Sequence, residues 1–173
     1  MAAGVRRVLW PLTVPAWVLA ADQASKAWLV ASLPYGGERN VWPGFFNLVH
    51  TRNRGVAFGF FSDAGPWSQR VLLGLVVLLV AFVAWQLALQ RARPWPALGL
   101  GLILGGALGN LADRLVRGEV VDFLDVYVVL SGKAYHWPAF NLADASITLG
   151  AVVLLGWELL PHGGKGSDAS GSR

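Results

Sequence analysis

Val71–Leu89 reads VLLGLVVLLVAFVAWQLAL, nineteen residues without a charge. A bilayer core needs about 20 mostly apolar residues per helix, so this stretch decides the fold class. Three further segments extend the pattern. Val8 to about Leu33 is apolar without interruption only as far as Ala21, and a spanning helix there must carry Asp22 and Lys26 inside or at its end. Pro94 to about Leu111 runs into Asp113 and Arg114, and Ala139 to Leu160 carries Asn141 and Asp144 near its start. Of the 173 residues 55% are hydrophobic and only 14% charged, against about 25% charged in a typical soluble domain. Nine tryptophans fit a chain that sits at membrane–water interfaces. The expectation is an all-α integral membrane protein of four transmembrane helices, with a small extracytoplasmic β-hairpin or cradle and a short interfacial helix.

Arg6 and Arg7 precede an apolar stretch ending in Ala20-Ala21, which resembles a signal peptide. Pro11, Pro15 and three later spans favour an uncleaved first helix. Residues 1–161 read as a single four-helix membrane domain, and 162–173, rich in Gly and Ser, as a disordered cytoplasmic tail. Arg6, Arg7, Arg91, Arg93, Lys165 and Arg173 fall on one side of the spans. The short connection Gln90–Arg93 is basic with no acid, which assigns both termini to the cytoplasm.

Two outer segments look structured. Phe45–Phe61, aromatic and β-branched with Asn53-Arg54-Gly55 as its turn, reads as a hairpin lying on the membrane. Gly118–Trp137 reads as a short interfacial helix or re-entrant piece.

Net charge is +4, but the basic residues are scattered between apolar runs and form no stripe, so no nucleic-acid partner is expected. The chain has no cysteine, which excludes disulfides, thiol catalysis and thiolate metal sites. His50, His136 and His162 fit no zinc-binding spacing. No metal and no cofactor is expected.

Ionisable groups inside spans are expensive, roughly 2.5–3.5 kcal/mol at the centre on insertion scales, so each needs a reason. Asp22 and Lys26, at i and i+4, share a helix face and read either as an ion pair or as the lining of a polar pocket. Asn110, Asp113 and Arg114 share another face, as a helix end or as support for a site. Asp122 and Asp144 are the candidates for chemistry. Two carboxylates held close share a proton, so one removes a proton from water while the other donates to a scissile carbonyl. On spacing alone Asp113 and Asp125 remain rival members of such a pair. Gly101, Gly105 and Gly109, spaced by four, read as a helix-packing face.

These residues fall into five boxes. Asp22-Gln23-Ala24-Ser25-Lys26 ends the first span. Asn47-Leu48-Val49-His50-Thr51-Arg52-Asn53-Arg54-Gly55-Val56-Ala57-Phe58 lies outside it. Gly105-Gly106-Ala107-Leu108-Gly109-Asn110-Leu111-Ala112-Asp113-Arg114 ends the third. Val120-Val121-Asp122-Phe123 and Phe140-Asn141-Leu142-Ala143-Asp144-Ala145-Ser146 follow. In this order they resemble the motifs of bacterial lipoprotein signal peptidase, the type II signal peptidase, across nearly the whole chain. Departures are small: Val56 stands where the family usually has alanine, and Ala145-Ser146 where Ser-Ala is common.

The resemblance implies a membrane aspartic endopeptidase of the bacterial inner membrane. It implies Asp122 and Asp144 as the catalytic pair, with Asp22, Lys26, Asn53, Asn110, Asp113, Arg114 and Asn141 supporting it and the substrate. It further implies diacylglyceryl-modified prolipoproteins as substrates, cut before the lipidated cysteine, and a site near the extracytoplasmic face. A β-cradle and a mobile helix would cover that site, and globomycin-type antibiotics would block it. Three other readings stand beside it: a presenilin-like protease, whose GxGD box is absent; a small proton-conducting transporter, which would not cleave peptides; and a non-catalytic membrane scaffold, which would tolerate Asp122→Asn with little effect beyond stability.

Overall fold

The structure is a computed structural model that describes residues 2–55, 66–90 and 92–160. Val56–Phe61 of the expected hairpin and the expected tail 162–173 lie outside the described residues.

The elements run α1 (Ala2–Ser32), β1 (Glu38–Trp42), β2 (Phe46–Asn53), α2 (Pro66–Gln90), α3 (Pro94–Arg117), β3 (Val120–Leu130), β4 (Lys133–His136) and α4 (Leu142–Leu159). Among the described residues three helices are long and apolar enough to cross a bilayer: Gln69–Gln90, Pro94–Arg117 and Leu142–Leu159. Leu75, Leu78, Phe82, Trp85 and Leu89 of α2, with Leu149, Val152 and Leu155 of α4, turn outward and exposed. Large apolar side chains pointing outward along whole helices fit lipid, not water, as solvent.

Helix α3 is the centre, packed against α1, α2 and α4. Its glycines make this possible. A methyl group at Gly101 would meet Val14, one at Gly105 would meet Val18 and the Pro15 backbone, and one at Gly109 would meet the Asp22 carboxylate. The i, i+4 glycine stripe therefore faces α1, as the spacing implies. A second set faces α4: Gly106 lies against the Ala143 carbonyl and Gly99 against Leu154 and the Gly150 carbonyl. On its remaining side Ala97 and Leu104 pack with Val83 and Leu87 of α2.

Helix α3 continues past Leu111 to Arg117, because its last charges find partners within the protein. It stops at Gly118, whose left-handed backbone (φ 75°) lets its N–H reach the Arg114 carbonyl. Helix α4 starts at Leu142 because Asn141 caps it: the Asn141 side chain accepts from Asp144 N, and the Asp144 carboxylate accepts from Asn141 N.

The four strands form one antiparallel sheet in the order β1-β2-β3-β4. This corrects two expectations. Gly118–Trp137 holds no interfacial helix, so the protein is not all-α. Val120–Leu130 is β-branched and aromatic and pairs with β2, and it returns through Ser131 and Gly132, both at positive φ, the geometry of a tight hairpin turn. The first hairpin turns at Pro43-Gly44-Phe45, with Gly44 at φ 84°. Asn53-Arg54-Gly55 lies at the end of β2, where Asn53 faces Val120, and the residues directly after it lie outside the described ones. Leu29, Val121 and Phe123 form the small core joining the sheet to the helices.

Candidate active site

The helix ends that meet beneath the sheet carry the buried polar residues. Lys26 Nζ lies 2.8 Å from Asp22 Oδ2 and 2.8 Å from Asp113 Oδ2, and all three side chains are fully buried. Lys26 also donates to Asn110 Oδ1 at 3.1 Å. Arg117 pairs with Asp113 Oδ1, so two cations face two carboxylates and the cluster is neutral. Gln23 Nε2 lies 3.1 Å from the Gly109 carbonyl and from Asp113 Oδ1. Asp22 Oδ1 accepts from the backbone of Ala143 at 2.9 Å, in the first turn of α4, where a carboxylate is favoured. The i, i+4 pair seen in the sequence is thus one edge of a lock joining α1, α3 and α4.

Above this lock opens a cleft of about 960 Å³. One wall is β2 with Thr51, Arg52 and Asn53, the floor is α3 with Asn110 and Arg114, and the far wall is α4 from Asp144 to Val152. Trp137, Pro138, Ala139 and Phe140 close the remaining side. The carboxylates among the residues lining it are Asp122 and Asp144.

Asp122 comes from β3 and Asp144 from the first turn of α4, and Asn141 links them. Asn141 Nδ2 donates to Asp122 Oδ1 at 2.7 Å, and its backbone N donates to Asp144 Oδ2 at 3.2 Å. Asn110 Nδ2 donates to Asp144 Oδ1 at 2.8 Å. Asn53 hydrogen-bonds to Asp122, and its Oδ1 accepts from Gly55 N at 2.9 Å. Arg114 donates to the Asn110 carbonyl at 3.2 Å and to the Gly55 carbonyl at 2.7 Å, which ties the end of β2 to α3. Burial pushes the Asp122 carboxyl up to about 7, and the neighbouring Asp144 charge adds to it; the bonds from Asn141 and Asn53 act the other way.

All nine candidate residues therefore fall in one connected region, five lining the cleft (Asn53, Asn110, Arg114, Asp122, Asp144) and four beneath or beside it. The rival carboxylates are placed elsewhere. Asp113 is taken up by Lys26, Arg117, Gln23 and the Val121 N–H. Asp125 is taken up by Asn47 and His136 on the sheet. Gln23 and Arg117 are members of the lock that sequence reading did not single out. Their spacing to Asp22 and Asp113 was visible, but Gln23 meets Asp113 only through tertiary packing.

The profile of the family described as signal peptidase (SPase) II matches residues 14–160. A lipoprotein signal peptidase of Cupriavidus necator is 45% identical over 158 residues, covering 91% of this chain and 87% of the relative. One from Aeromonas hydrophila is 45% identical and covers 86% of each chain. A solved bacterial membrane enzyme, determined by the in meso method at 2.3 Å resolution, superposes with a TM-score of 0.69 at 27% identity, covering 86% of this chain and 87% of its own. With the profile spanning most of the chain and relatives this similar over most of their length, the chain belongs to the signal peptidase II family.

Proposed function

We propose that this membrane endopeptidase, which acts on prolipoprotein signal peptides as its family does, cleaves with Asp122 and Asp144 as its catalytic pair. The observation that carries the assignment is that the two carboxylates line one cleft and are bridged by Asn141. One carboxylate takes a proton from a water as its oxygen attacks the scissile carbonyl carbon. The other gives its proton to the carbonyl oxygen, producing a gem-diol. As the C–N bond breaks, a proton passes to the departing amine and the carbonyl re-forms as a carboxylic acid. A carboxyl raised to about 7 by burial suits this role, because the pair can then keep a proton to donate near neutral pH.

Asn110 and Asn141 hold Asp144, Asn141 and Asn53 hold Asp122, and Arg114 anchors the β2 end. Asp22, Lys26 and Asp113 fix the helix ends. The lower cleft, with Ile147, Leu149 and Val152, offers an apolar surface for the lipid-modified, diacylglyceryl-bearing end of the substrate. Helix α1, 31 residues long, is the fourth span, and residues 1–161 work as one domain. Both termini then face the cytoplasm, since the short basic turn between α2 and α3 lies at the end opposite the sheet. The cleft opens at the extracytoplasmic face of the inner membrane, and a globomycin-type inhibitor would compete for it.

Cleavage of a lipid-modified prolipoprotein by purified wild type, Asp122→Asn and Asp144→Asn tests the assignment, with folding checked by thermal melt. Both folded variants are expected to be inactive. Near-full activity in either overturns the assignment of that aspartate. A wild type that leaves this substrate intact while folded favours the transporter reading.

A further inference from the structure

We infer that His136, acting through Asp125, is a positioning residue for the Trp137–Phe140 wall and so governs how tightly the cleft holds its substrate. The inference rests on the reading of the cleft as the substrate site.

The wall follows β4 directly. Strand β4 pairs with β3 as far as Tyr127↔His136. Trp137 N then donates to the Val126 carbonyl at 2.8 Å. The ladder resumes at Phe140, whose N donates to the Leu124 carbonyl at 3.0 Å and whose carbonyl accepts from Leu124 N at 2.8 Å. Between these points Pro138 and Ala139 face the single residue Asp125, a one-residue bulge. Pro138 has no N–H to give to the ladder. The ladder to β3 is thus interrupted at Pro138 and Ala139, where the wall passes Asp125.

At this point the side chains make the connection. Asp125 is 6% exposed. Its carboxylate lies 2.9 and 3.0 Å from His136 Nδ1 and 3.0 Å from Asn47 Nδ2 of β2. With both carboxylate oxygens as acceptors, His136 Nδ1 is the donor of this pair. The His136 ring stacks on Tyr127 at 4.8 Å and 11°. The Tyr127 hydroxyl accepts from Gly44 N at 2.8 Å and from Asn40 Nδ2 at 3.1 Å. A polar chain across all four strands therefore ends on the residue before Trp137. Asp125 lies three positions from Asp122 on the strand, which points the two to opposite faces, so this chain acts on the wall without touching the reacting atoms.

The test is steady-state cleavage of a lipid-modified prolipoprotein by the full-length protein in detergent. His136→Phe keeps a ring on Tyr127 but loses the donor. Its KM is expected to rise about fivefold to tenfold, as loss of one hydrogen bond predicts, with kcat within about twofold. His136→Asn places an N–H near the position of Nδ1 and is expected to restore KM. Should His136→Phe not fold, His136→Gln, whose donor is displaced by one methylene, reads the same split. An unchanged KM in His136→Phe, a His136→Asn as impaired as His136→Phe, or a kcat that falls together with the melting temperature overturns the inference. Asp122→Asn, run alongside, separates the two readings: its inactivity beside an unchanged KM in His136→Phe overturns only the positioning role, and its retained activity overturns both.

Discussion

Asn141 donates to Asp122 at 2.7 Å from the residue that caps the helix carrying Asp144. One side chain therefore caps α4 and holds the Asp122 carboxyl of the proposed catalytic pair, and the two roles separate experimentally. Asn141→Ser keeps a capping oxygen, so its melting temperature is expected to stay close to wild type. The shorter side chain cannot also donate to Asp122. Losing a hydrogen bond to a buried carboxylate predicts a fall in kcat on the order of tenfold to hundredfold. Parallel kinetics and melts check this, and a variant with wild-type kcat would remove Asn141 from the mechanism.

Lys26→Met tests the neutral lock beneath the cleft. Lys26 lies between Asp22 and Asp113, 2.8 Å from each, with no exposure to solvent. Deleting it leaves two buried carboxylates facing one cation, Arg117, which breaks a buried ion network at a cost of about 3–5 kcal/mol. The variant is expected to melt well below wild type, and adding Asp22→Asn should recover part of the loss. Equal melting of wild type and Lys26→Met would show that the charges contribute nothing to the helix packing.

Gly106→Ala should act through backbone contact. A methyl group there would run into the Ala143 carbonyl and Ile147, and a helix carbonyl cannot rotate aside. Helix α4 must then move away from α3, taking Asp144 with it. Loss of stability by about 1–3 kcal/mol, the usual cost of overpacking, together with loss of activity is expected. Gly74→Ala on α2, where nothing lies within 4 Å, is the control and should be silent.

Much of this was legible in the sequence because the bilayer makes the code simple. Val71–Leu89 could only be a helix, and each charge within a span announced a partner. The Asn141–Asp144 spacing also contains the cap that starts α4. The strand β3 was not legible for a physical reason. Val120–Phe123 is buried on both faces, so the alternation that marks a half-exposed strand is missing. The Ser131-Gly132 turn beside Val126–Leu130 was the signal that a hairpin follows. The pairing of β2 has a related cause. Asn53-Arg54-Gly55 has turn chemistry, but its strand pairs with residues about seventy positions away, and local sequence does not carry that register.

The pH dependence follows from Asp122. Its carboxyl stands at about 7 in the folded protein, against an ordinary 3.8. Between these values the folded state holds a proton that the unfolded chain has released. Stability from this group therefore falls as pH rises from about 4 to about 7, and is level above that. Asp122→Asn removes the titration, so its melting temperature should decline less than that of wild type across the same window. The wild-type rate should show an alkaline limb with an apparent pKa near 7, since the proposed pair needs one proton to act as acid and base. Melts and kcat/KM profiles from pH 4.5 to 9 measure both, and parallel melting curves for wild type and Asp122→Asn would show that Asp122 ionises in the folded protein as it does in water.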